Sequence, residues 1–122
     1  MGQLGRELQQ NKIDLAYFVT TGRRSLTLQR INFVATVWDL CHRDSPEFPE
    51  VRDNFEFLSR EFIYSNTLSQ ALFVLCDSLS LCDRISHRYG LDKERLIAMP
   101  FSPGPFTESA HSEAQEAVLA HN

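Results

Sequence analysis

Side chains that are apolar, with the one exception of Ser86, recur at alternating intervals of four and three residues from residue 68 to residue 89. Residues three and four apart share one side of an α-helix, so this spacing is typical of a helix that packs along another helix. The spacing predicts a packing or oligomer seam in this segment, and Gly90 is expected to end its helix. The predicted seam residues are Leu68, Leu72, Leu75 and Leu79.

Helical spacing also runs through the first half of the chain. It predicts a first helix over residues 3–20, a second over residues 25–42 and an amphipathic third from Val51 to Phe62. No stretch shows strand-type alternation of apolar and polar residues. The predicted fold class is therefore all-α, a compact bundle of four to five helices.

The length of 122 residues suits one modest domain. Pro100 and the segment 102–105, which holds two prolines and a glycine, predict a linker after the helices. We therefore expect a helical domain over residues 1–99. Residues 100–122 are expected to form a Pro/Gly linker and a flexible, weakly structured acidic tail, with a weak last helix around residues 109–120.

Residues 82–99 fit the pattern of a helix-turn-helix-like corner. Ser86 is a small residue midway along the first helix, Gly90 lies in the turn, and a short second helix is expected from Asp92 to Met99. An ordinary helical corner needs the same small and apolar residues, and Asp92 would repel DNA phosphates. Both interpretations stay open. The predicted DNA or partner contacts are Arg84, Arg88, Lys93 and Arg95.

The charge distribution favours a binding role. The chain has 16 acidic and 12 basic side chains and a net charge of −4, which argues against non-specific coating of nucleic acid. Residues 39–62 hold seven acidic and three basic side chains. An acidic helical surface steers basic protein partners, as an adaptor, inhibitor, immunity factor or secretion chaperone would require.

No combination of residues indicates catalysis or a metal. Three cysteines are an odd number, so we expect no disulfide framework and a reducing, cytoplasmic location. The spacing of Cys76, Cys82 and His87 does not match a structural zinc site, and Cys41 and His42 point apart on a helix. We predict no catalytic, metal or cofactor-binding residues and no cofactor or small-molecule substrate. No apolar run reaches membrane-spanning length.

These observations lead to two hypotheses for a small, non-enzymatic regulatory protein. In the first, it is a transcriptional regulator that reads DNA with the unit at residues 82–99. In the alternative, it is a protein–protein interaction module that uses the acidic helical surface at residues 39–62. Both hypotheses predict a protein partner or self-association.

Overall fold

A sheet of four parallel strands forms the centre of the computed structural model, which describes residues 2–28 and 30–102. The strands lie side by side in the order in which they occur along the chain. The protein is therefore α/β, and the predicted all-α bundle is wrong. The strands are β1 (Leu15–Phe18), β2 (Asn32–Val37), β3 (Phe73–Cys76) and β4 (Leu96–Ala98).

The composition of the strands explains why their sequences also match helical spacing. β2 and β3 are short runs of apolar, β-branched and aromatic residues with apolar side chains on both faces, as is usual in parallel sheets. Such a run has no alternation, and its residues also match helical spacing. The predicted helices over residues 3–20 and 25–42 are therefore wrong in large part. The first helix ends at Gln10, and residues 25–42 contain a 3-10 turn and β2.

Helices connect the later strands. Ser78 begins the helix after β3, where its hydroxyl oxygen accepts a 3.2 Å hydrogen bond from the Leu81 N–H. Gly90 ends that helix at a φ of 67°, so its predicted role as a helix stop is confirmed. The helices are α1 (Gln3–Gln10), α2 (Cys41–Asp44), α3 (Pro49–Arg52), α4 (Glu56–Thr67) and α5 (Leu79–Tyr89), with 3-10 turns at Arg23–Thr27, Asp53–Phe55 and Lys93–Arg95.

The core lies on one face of the sheet. Crossovers between parallel strands almost always have the same hand, so strands in sequential order place their connections on one side. Leu68 and Ile85 from the connections are fully buried against this face. The sheet residues on the covered face are Ala16, Phe18, Phe33, Ala35, Val37, Val74, Cys76, Leu96 and Ala98.

The predicted seam is not continuous, because β3 lies in the middle of it. Leu68 is buried directly after α4, whereas Leu72 is half exposed in the loop that precedes β3. Leu75 belongs to β3 itself, and Leu79 begins α5 with its side chain 75% exposed. The four leucines therefore lie in separate elements and do not form one helical stripe.

The predicted helix-turn-helix-like corner is also wrong. After Gly90 the chain makes a single 3-10 turn, Lys93–Arg95, and continues directly into β4. A three-residue turn cannot lie along a DNA groove as a second helix does. The predicted tail helix around residues 109–120 lies outside the described residues. Within the described part of the chain, no helix is long and apolar enough to span a membrane.

Candidate functional site

The most distinctive surface of the protein is the face of the sheet opposite the core, which we call the open face. Side chains alternate between the two sides of each strand, so the strand register assigns every residue to one face. Trp38 and Met99 continue the rows beyond β2 and β4. The open face consists of Leu15, Tyr17, Asn32, Val34, Thr36, Trp38, Phe73, Leu75, Ile97 and Met99.

The open face is largely apolar, and most of it is accessible, although Thr36 at its centre is buried. Tyr17, Ile97 and Met99 are 51%, 42% and 48% exposed, and no member of the face carries a charge. All-parallel sheets occur almost only with both faces covered by other structure. Contiguous exposed apolar patches of this kind mark interaction sites. The composition of the open face is therefore that of a surface buried in an assembly.

Hydrogen bonds make the middle of the open face rigid. The Thr36 hydroxyl donates to the Tyr17 hydroxyl oxygen at 3.3 Å. Thr21 fixes the same strand, because its hydroxyl donates to the Thr36 carbonyl oxygen at 2.9 Å. The Trp38 indole N–H donates to the Val19 carbonyl oxygen at 2.8 Å, which ties the end of β2 to the end of β1. The face is thus presented in a fixed shape, which lowers the entropic cost of binding.

A second notable feature is a cluster of charges among the helices on the covered side. Arg43 donates two hydrogen bonds to the Glu61 carboxylate, at 2.7 and 2.6 Å. The Tyr89 hydroxyl donates to Glu61 at 2.7 Å, and the His42 Nε2 lies 2.8 Å from it. These contacts join α2, α4 and α5.

The contacts in the charge cluster shift the pKa values of Glu61 and Tyr89. The hydrogen bonds from Arg43 lower the pKa of Glu61 to about 2, helped by those from Tyr89 and His42 and opposed by burial. Burial, together with the bond to Glu61, raises the pKa of Tyr89. His42 is fully buried, and its Nδ1 has no hydrogen-bond partner in the part of the chain that the structure describes. We interpret the cluster as a structural brace, since Glu61 is held ionised by three neighbours.

The structure does not bring the four predicted contact residues into one basic surface. Arg84 forms an ion pair with Asp44, and Lys93 pairs with Asp83 at 2.7 Å. Arg88 lies 3.6 Å from Glu61. Arg95 donates to the main-chain carbonyl oxygens of Ser69 and Ala71. Each of these cations therefore has an anionic or carbonyl partner within the protein. Their role as DNA or partner contacts stays a prediction.

The acidic segment 39–62 is largely paired inside the protein as well. Arg60 lies 3.2 Å from Asp39 and 3.1 Å from Glu56. Glu61 belongs to the charge cluster and Asp44 pairs with Arg84. This pairing reduces the negative field that the segment would offer to a basic partner.

The described residues contain no group of three or more side chains suited to a metal ion. All three cysteines are free: Cys41 is exposed, and Cys76 and Cys82 are buried. Burial raises the pKa of the Cys76 thiol, so this cysteine behaves as an inert core residue.

Sequence reasoning missed the open face altogether. A signal was present in the runs 33–37 and 72–76, which are short and rich in β-branched and aromatic residues. Their apolar character on both faces is typical of buried parallel strands.

Comparison with known proteins adds no assignment: no protein-family model, curated protein or solved structure matches the chain.

Proposed function

We propose that this chain is a non-enzymatic protein-interaction module. Its open face binds amphipathic helices of a protein partner, which cover the sheet as a layer. The observation that carries the proposal is the uncharged face that extends across all four strands and exposes Tyr17, Phe73 and Ile97. Helices are the usual cover of a parallel sheet, because the twisted apolar surface matches a helical stripe. Three free thiols support a cytoplasmic location.

The proposed class, a protein–protein interaction module, is that of the second hypothesis from the sequence. The proposed binding surface is different: it is the open face and not the acidic segment 39–62. The acidic residues Asp39, Asp44 and Glu61 form ion pairs with arginines of the same chain. The open face, in contrast, is covered within residues 2–28 and 30–102 only where Phe101 stacks on Trp38. Burial of apolar surface contributes about 25 cal/mol per Å². A partner that covers the apolar side chains of the open face therefore gains affinity from their burial.

DNA reading by residues 82–99 is the second candidate. It now depends on Lys93 and Arg95 as contacts from a turn and a strand, without a recognition helix. Both cations would have to leave partners inside the protein to reach phosphates or bases. We therefore favour the interaction module and treat DNA binding as an outcome to be tested.

The test of the proposal measures the native molar mass of the full chain. In a gentle extract of its source cells, the chain is expected to elute in an assembly larger than its own 14.0 kDa. The double variant Ile97→Glu/Met99→Glu places two charges on the open face without touching the core. In size-exclusion chromatography with light-scattering detection, this variant is expected to elute as a monomer of 14.0 kDa.

The matched control is Leu79→Glu, which changes a leucine that is 75% exposed at the first position of α5. A glutamate is compatible with a helix start, so this variant should fold and stay in the assembly. The proposal is wrong if the unaltered chain elutes as a monomer, or if the double variant keeps the assembly. If the pure chain forms a homogeneous dimer, the occupant of the open face is a second copy of the chain and not a helical partner.

A further inference from the structure

Among the described residues, 2–28 and 30–102, no strand lies beside one edge of the sheet. β1 pairs with β2 on one side only, so every second N–H and C=O of β1 points away from the sheet. The strand Leu15–Phe18 contains no charge, proline or bulge of the kind that protects exposed edges. β1 is thus a free template for a further strand.

The opposite edge shows what a protected edge looks like in the same protein. β4 has three residues, whereas β1 has four, and Pro100 follows it closely. A short strand and a nearby proline are usual means of blocking strand addition. The two edges therefore differ in their capacity to bind.

A cavity of about 590 Å³ runs along the edge of β1. Leu4 and Leu8 of α1 form one wall, and all four residues of β1 form the other. Side chains from both faces of the strand line it, which places the cavity along the strand edge and not above either face. Its volume is within the range of ligand sites in proteins.

The carboxyl end of the cavity is basic. Gly22, Arg23 and Arg24 line it there, and both arginines are exposed. The Arg23 guanidinium donates to the Ser59 hydroxyl at 3.2 Å. Within residues 2–28 and 30–102, neither arginine is part of an ion pair. A planar guanidinium is well suited to bind a carboxylate.

We infer that the cavity binds an extended peptide that joins the sheet beside β1, parallel to it, and places its C-terminal carboxylate at Arg23 and Arg24. A strand parallel to β1 ends at the same side of the sheet as β1, where these arginines lie. Main-chain hydrogen bonds to the free edge supply affinity, and alternate apolar side chains enter the wall of Leu4 and Leu8. This site shares Leu15 and Tyr17 with the open face, but it lies along the edge of the sheet, and peptide binding there goes beyond the helix-binding function.

The test uses a pool of synthetic hexapeptides with alternating apolar and polar residues, a fluorescent N-terminal label and a free C-terminal carboxylate. Fluorescence anisotropy with the full chain is expected to show binding. A matched pool with proline at the third position should bind at least about tenfold more weakly, because proline removes a main-chain donor and blocks pairing. A C-terminal amide pool should also bind about tenfold more weakly, since it lacks the carboxylate.

Variants of the chain locate the peptide. Arg23→Gln/Arg24→Gln should lose the preference for the carboxylate pool over the amide pool, and Arg30→Gln, an exposed arginine outside the cavity, should keep it. Circular dichroism checks that each variant is folded. Absence of binding by the alternating pool, or equal binding by the proline pool, overturns the inference. The open-face variant Ile97→Glu/Met99→Glu should bind the peptides normally, so failure here and failure of the helix-binding proposal are distinguishable.

Discussion

The Trp38 indole stacks on the Phe101 ring with the ring centroids 5.1 Å apart and the planes 16° from parallel. This contact brings the segment after β4 back across the end of β2. It covers one corner of the open face, whereas Tyr17, Ile97 and Met99 stay exposed among the described residues. The chain therefore contains one example of the aromatic packing that a partner would extend over the same surface.

Removal of this stacking should be visible in fluorescence, because Trp38 is the only tryptophan of the chain. Phe101→Ala exposes the indole to water, so its emission maximum should move to longer wavelength. The free energy of unfolding in urea should fall by about 1 kcal/mol. Phe48→Ala, at an exposed phenylalanine that does not stack on Trp38, should leave the emission unchanged. Identical spectra for Phe101→Ala and the unaltered chain would show that the stacking does not exist in solution.

The charge cluster predicts a specific pH dependence of stability. The pKa of Glu61 falls from 4.5 to about 2 on folding, so its ionised form stabilises the protein above pH 4.5. That contribution is lost as the pH falls from 4.5 to about 2 and amounts to about 3 kcal/mol. Glu61→Gln should therefore lower the free energy of unfolding at pH 7 and flatten its decline in acid.

Urea titrations at a series of pH values measure this effect. Glu47→Gln, at an exposed carboxylate in the loop before α3, serves as the control and should follow the unaltered chain. If the curve of Glu61→Gln is parallel to that of the unaltered protein between pH 2 and pH 4.5, the brace does not contribute in the way described.

The end of α5 gives a conformational test. Gly90 has a φ of 67°, and a Cβ added there would meet no atom within 4 Å. Gly90→Ala should therefore cost about 1 kcal/mol through backbone strain alone, measured as a lower midpoint of thermal unfolding. Gly22→Ala adds a Cβ that is equally free of contacts at a φ of −145°, and should be nearly neutral. Equal losses for both variants would contradict the left-handed helix end.

DNA binding can be tested with the two cations nearest to β4. Lys93 and Arg95 have partners inside the protein, so we expect no salt-sensitive binding to a pool of duplex promoter DNA in fluorescence anisotropy. Steep salt dependence, together with loss of binding in Lys93→Ala and Arg95→Ala, would instead establish the regulator hypothesis and displace the interaction module.

Local signals in the sequence predicted some elements and not others. The stop at Gly90 was predictable because it depends on a local preference of glycine. A helix was expected over residues 51–62, and α4 lies at 56–67, so the element was found with shifted bounds. β2 and β3 were missed because their pairing is between residues distant in sequence, and because apolar runs buried on both sides carry no alternation.

The open face could not be predicted from the sequence for the same reason. The open face consists of residues from four separate strands, and only the register of those strands brings Tyr17, Val34 and Phe73 into one row. Charged residues were easier to single out from the sequence than apolar ones. Their partners, however, come from elements up to 40 residues away, as in the pair Arg84 and Asp44. Sequence alone could not show that these charges are paired.

The central claim is that the open face is covered in the working protein, and hydroxyl-radical footprinting tests it most directly. The full chain would be labelled in its native assembly from source cells and, separately, as the purified isolated chain. Phe73, Ile97 and Met99 are expected to be oxidised in the isolated chain and protected in the assembly, while Leu79 should be oxidised in both. Equal oxidation of Ile97 and Met99 in the two samples would contradict it.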